Sequence, residues 1–158
     1  MKDDLYKTIE RFEPQMVSLL SGLIGIPAIS PLGGGAGEYR KAAYIAESLE
    51  KMGFGKPEVY NAADPAAEEG VRPNLIFRIP GKTSRRLWIV SHIDVVPEGD
   101  RGLWDTDPFK AVVRDRRIYG RGSNDNCQEL VSSLYAVSAL KELKLTPEFE
   151  VCLCFVAD

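Results

Sequence analysis

Three short apolar runs, NLIFRIPG, RRLWIVSH and EFEVCLCFVAD, constrain the fold of this chain more than any other feature. Each is too short for an average helix and rich in β-branched, aromatic or other apolar residues, so each reads as a strand. Around them the apolar period changes from runs to helical spacing. Leu5, Ile9, Phe12, Met16, Leu19 and Leu23 recur every three or four residues, which predicts one amphipathic helix over the first two dozen residues. Pro27 and the stretch SPLGGGAG end it. A second helix is expected from about Glu38, with Ala42, Ile45, Leu49 and Met52 on one face and Gly53 as its stop.

NAADPAAEEG, residues 61 to 70, has the composition of a surface loop. KAVVRDRRIYG reads as a hairpin turning at Arg114 to Arg116. A third helix is expected near Asn126, carrying Cys127, Leu130, Leu134, Val137 and Leu140. Either Asp125 with Gln128 or Asn126 with Glu129 would form a capping box at its start. The order is helix, helix, strands, hairpin, helix, strand. That predicts an α/β fold over residues 1–158, a mixed sheet flanked by helices.

Net charge is −3 and the sequence pI about 5.3, so no basic stripe points to nucleic acid. The longest fully apolar run, VCLCFVA, is far short of the roughly 20 residues that span a bilayer. MKDDLYKTIE is acidic and amphipathic, unlike a secretory signal. Together with three cysteines this leads us to expect a cytoplasmic protein with reduced thiols and neither a membrane nor a nucleic-acid partner.

The one histidine of the chain, His92, stands in SHIDVVPEGD at the end of an apolar run. Residues two apart on a strand share a face, so His92 and Asp94 are expected side by side at its C-terminal end. A carboxylate beside an imidazole fixes the ring's tautomer and raises its basicity as a metal ligand. Downstream, YGRGSNDNCQEL makes a glycine-rich turn that delivers Asp125 to a helix N-terminus, where the macrodipole favours its ionised form. Taken singly, His92 is an ordinary strand-end residue and Asp125 an ordinary cap. Together and in this order they form a candidate cation site.

SHIDVVP, LWDTDPF and GRGSND, with IPAIS and PNLIFRIPG before them, resemble the metallopeptidase and deacylase family of acetylornithine deacetylase, succinyl-diaminopimelate desuccinylase, aminoacylase and carboxypeptidase G. The resemblance covers nearly the whole chain. It implies a zinc-peptidase-like catalytic domain, present here as its N-terminal portion. It also implies that His92 binds one of two Zn²⁺ ions, that Asp125 bridges both, and that Asp94 is the catalytic-site carboxylate orienting His92. Co²⁺ or Mn²⁺ are alternatives to zinc. The Asp125–Asn126 peptide bond would be cis. The reaction implied is hydrolysis of the amide bond of an N-acyl amino acid or small peptide, in a full-length homodimer.

In that family the last strand runs into two consecutive glutamates, a general base and a ligand, and this chain ends at Asp158 before such a pair. The resemblance therefore leads us to expect a truncated domain without its dimerisation domain and C-terminal half. Metal binding is expected to be weak or absent, and the isolated chain inactive. Self-association through uncovered apolar surface is expected as well. The competing reading is a non-catalytic binding or interaction module on the same scaffold.

Other motifs point less far. Cys127 could add a third ligand beside Asp125, although its place on an apolar helix face suits a buried thiol. Cys127, Cys152, Cys154 and His92 make a nominal structural zinc set, but C-x-C lacks the usual knuckle spacing. GGGAG at 33 to 37 matches neither phosphate-loop pattern. Trp104 and Phe109 suit either a substrate cleft or the anchoring of their loop.

Overall fold

The computed structural model describes residues 2–157. The predicted first helix is two helices, α1 (Lys2–Arg11) and α2 (Glu13–Ile24), broken at Phe12. The cause is Pro14, which has no N–H to donate and is tolerated only in a first turn, so a new helix must begin just before it. Helix α3 spans Tyr39–Lys51 and α4 spans Cys127–Glu142. Gly53, at φ 76°, takes the left-handed conformation that follows α3.

The strands are β1 (Glu58–Ala63), β2 (Val71–Ile79), β3 (Thr83–His92), β4 (Val112–Arg114), β5 (Arg117–Tyr119) and β6 (Phe149–Val156). The main sheet has the order β1-β2-β6-β3. β1 and β6 run antiparallel to β2, and β3 runs parallel to β6, with α4 on the connection between them. The expected mixed α/β sheet is therefore present. One reading is corrected: Asn61, Ala62 and Ala63 belong to a strand, not a loop. All six β1 residues are exposed, so no buried alternation marks them; pairing with β2 from Glu58↔Ile76 to Ala63↔Val71 makes the strand.

Leu75, Phe77, Val151, Leu153 and Phe155 face Leu20, Leu23, Ile45, Leu49, Leu130 and Leu134 in one core under the helices. On the sheet's other face, Trp88, Cys152 and Arg78 share a row, as do Val90, Cys154 and Ile76. Trp88 and Val90 on β3 are exposed. β4 and β5 form the predicted hairpin. Its two-residue turn, Asp115-Arg116, has φ of 52° and 59°, the positive-φ geometry that matches strand twist.

Candidate metal centre

β3 ends at His92, and the chain leaves the sheet in an orderly way. Ile93 donates its N–H to the Val156 carbonyl and Val95 to that of Ala28, and Ile29 bridges Val95 in parallel. Ile93 and Val95 are buried in the core. Alternation therefore turns His92 and Asp94 to the opposite side, as the spacing predicts.

Asp125 arrives from the other direction. Pro108 accepts the Arg121 N–H, and the Gly122 carbonyl accepts from Cys127 at the start of α4. Gly122 sits at φ 82°, and a Cβ there would lie 2.8 Å from Val95 Cγ1 and 3.6 Å from Cys127 Sγ. Only glycine satisfies both demands, so the turn packs directly under the strand-end loop. The two loops are also clipped together. Trp104 Nε1 donates to the Glu98 carbonyl at 2.9 Å, Arg121 donates to the same oxygen at 3.5 Å, and the guanidinium lies 5.2 Å from the indole centroid. This gives Trp104 an anchoring role.

The capping boxes do not form. Asn126 is the N-cap of α4 without a side-chain cap bond, and its buried Oδ1 has no hydrogen-bond partner among the described residues. The Asp125–Asn126 peptide bond is cis. Asp125 is therefore not used up as a cap: its side chain is 83% exposed and points to His92.

His92 lies between two carboxylates. Nδ1 is 3.1 Å from Asp94 Oδ1, and Nε2 is 2.8 Å from Asp125 Oδ1. Ionised carboxylates only accept, so the two contacts suit a ring that donates from both nitrogens. Burial pulls the His92 pKa down, but the hydrogen bond to Asp125 and the charges of Asp94 and Asp125 outweigh it and raise it above its ordinary value. The structure thus brings His92, Asp94 and Asp125 together.

The chemistry of these donors fits a divalent cation in part. Nε2 and Asp125 Oδ1 converge on one spot, and Asp94 holds the far side of the ring, the usual support of a metal-ligating histidine. Two donors are not a complete set, and among the described residues no three His, Cys, Asp or Glu side chains are placed to hold an ion. The nominal cysteine site is corrected accordingly. Cys127 lies in the helix-side core, whereas Cys152 and Cys154 alternate with the core residues Val151, Leu153 and Phe155 and so face the other side of β6. Asp158 lies outside the described residues.

Sequence reasoning missed a second charged cluster, buried at the start of α3. Glu38, wholly buried, accepts from Arg72 Nε at 3.0 Å and Nη2 at 2.6 Å. Lys41 is 1% exposed, and burial pulls its pKa below the ordinary value, against the smaller opposing influence of Cys127, Asp94 and Glu38. A signal was there: Glu38 and Lys41 lie seven and four residues before Ile45, on the apolar stripe of α3.

Residues 88–158 match the model of peptidase family M20/M25/M40. Over those residues the chain carries a peptidase M20 family domain. An uncharacterized metallohydrolase of Methanococcus maripaludis is 41% identical over 165 aligned residues, which cover all of this chain and 37% of the relative. A succinyl-diaminopimelate desuccinylase of Rickettsia canadensis is 32% identical, over 89% of this chain and 34% of that enzyme. A di-peptidase structure from Saccharomyces cerevisiae superposes with a TM-score of 0.82 at 25% identity, over 98% of this chain and 34% of that one. The chain therefore spans about a third of the length of these relatives. Metal-dependent hydrolysis is the common character of the family, and a divalent metal goes with it.

Proposed function

We propose that this M20 protein hydrolyses the amide bond of an N-acyl amino acid or a small peptide with Zn²⁺, Co²⁺ or Mn²⁺ at the His92–Asp125 centre. The observation that carries the proposal is the convergence of His92 Nε2 and Asp125 Oδ1 at 2.8 Å, with Asp94 behind the ring. His92 and Asp125 would hold the metal, and Asp125, as a carboxylate, has a second oxygen for a second ion. When bound, the metal supplies acidification of a water and polarisation of the scissile carbonyl.

The chain's own residues do the rest. Asp94 takes the Nδ1 proton in a hydrogen bond, which leaves Nε2 as the bare donor and keeps the ring from rotating. The Trp104–Arg121 clip holds the two donor loops at a fixed separation. Catalytic zinc generally has three protein ligands and a water, and these residues supply two. We place the remaining donors, with the dimerisation domain, in the part of the relatives' length that this chain does not span, and a cytoplasmic location remains our expectation. By itself the 158-residue chain should bind Zn²⁺ more weakly than about micromolar and hydrolyse nothing measurable.

The test is a panel of N-acyl amino acids and dipeptides assayed on the complete protein with each metal, beside H92A and D125A. Metal-dependent activity lost in both variants supports the proposal. An active H92A enzyme overturns it, as would sub-micromolar Zn²⁺ binding by the 158-residue chain that survives H92A.

A further inference from the structure

The end of β6 that lies beside His92 is held by a side chain rather than by the sheet. The backbone ladder between β2 and β6 stops at Leu75↔Phe155, and Pro73, two residues on, has no N–H with which to extend it. The side chain of Asn74 takes over. Its Oδ1 accepts the Ala157 N–H at 3.1 Å, just past the last residue of β6. Its Nδ2 donates to the Tyr60 carbonyl of β1 at 3.0 Å and to the Arg72 carbonyl at 3.4 Å. The carboxamide accepts on one side and donates on the other, so it ties the end of β6 to β1 and β2.

The peptide that Asn74 grips is also the one from which the His92 turn hangs. β3 reaches its end with His92 paired to Val156, and the Val156 carbonyl then accepts the Ile93 N–H at 2.9 Å. Both polar groups of the Val156–Ala157 peptide are therefore engaged, the carbonyl by the turn and the N–H by Asn74. A peptide unit is planar, so holding its N–H fixes the direction of its carbonyl. Ile93 is wholly buried, and His92 and Asp94 leave the backbone on the side opposite to it. The direction of that carbonyl thus sets where His92 Nε2 meets Asp125, at 2.8 Å.

We propose that Asn74 is a positioning residue for the candidate metal centre: its carboxamide orients the Val156–Ala157 peptide, which seats Ile93 and so aims His92 at Asp125. The assignment rests on the reading of His92 and Asp125 as metal donors. Asn74 acts through the end of β6 and Ile93, not on the metal itself.

N74L keeps the size of the side chain and removes its hydrogen bonds. In the wild-type 158-residue chain the Ala157 and Ile93 amides should be protected from hydrogen exchange. In N74L the Ala157 amide should exchange about tenfold faster and that of Ile93 about threefold faster, the range that one lost hydrogen bond allows. The ring signals of His92, the single histidine, should shift at constant pH. A merely structural asparagine would release Ala157 and leave Ile93 and the His92 ring as they are, and that result overturns the assignment. If N74L does not fold, A157P removes the donor of the same bond and should give the same changes at Ile93 and His92. Unchanged signals there overturn the assignment equally. In the complete protein, N74L should weaken Zn²⁺ binding about tenfold, at the low end of what loss of an outer-shell partner costs. Zn²⁺ binding equal in wild type and H92A sinks the metal centre on which the assignment rests. Binding lost in H92A but undiminished in folded N74L sinks only the role of Asn74.

Discussion

This protein has two carboxylate–cation pairs built for opposite ends. Glu38 and Arg72 are 0% and 16% exposed, joined by two hydrogen bonds, and closed to solvent. Asp125 and His92 are 83% and 32% exposed, joined by one, and open. The inner pair is turned on itself and buried, as a structural pair is. In the outer pair a single shared proton lies where a cation could replace it. The comparison teaches that exposure, not the presence of a charge pair, distinguishes the candidate centre.

The comparison breaks most readily at Glu38. E38A leaves Arg72 and Lys41 without their buried acid and should cost about 3–5 kcal/mol, the penalty of an uncompensated buried charge, read from urea denaturation. Next comes the turn that carries Asp125. G122A forces a side chain into positive φ and to within 2.8 Å of Val95, and should cost about 1–3 kcal/mol while displacing Asp125, read from thermal unfolding and His92 ring shifts. D125A lies at the other extreme. Its stability should stay within about 1 kcal/mol of wild type, since an exposed pair contributes little, yet Zn²⁺ binding should disappear. Should E38A and D125A prove equally destabilising, the contrast between a closed and an open pair is wrong.

The smallest expected effect is a pH dependence. Because His92 has a raised pKa in the folded metal-free protein, its contribution to stability is fully present below the unfolded value near 6.5. It is lost as pH rises through the higher folded value. D125N should flatten the dependence of the urea midpoint on pH across that window, and an unaltered slope would mean that Asp125 does not hold the ring.

Much of the candidate site was legible because its information is local. SHIDVVP places His92 and Asp94 on one side by alternation alone, and GRGSND supplies the glycines that bring Asp125 round. The elements legible from periodicity, α3, α4, β2, β3 and β6, likewise owe their form to residues within a few positions. The failures have equally definite causes. The break between α1 and α2 was written in Pro14, but the regular Leu and Ile spacing on both sides hid it. β1 carries no burial pattern of its own, because an edge strand exposed along its whole length is defined by the hydrogen bonds of its neighbour. The capping boxes failed because Asn126 and Asp125 are directed by the turn rather than by the helix that follows.

The sequence alone determined which donors the candidate centre draws on and which local turns present them, since dihedral preference and alternation act between neighbours in the chain. Only the tertiary structure decided that Arg72 neutralises Glu38 and that Asp125 comes within 2.8 Å of His92 across 33 residues. Charge pairing is settled by distance and desolvation, and both are properties of the packed molecule.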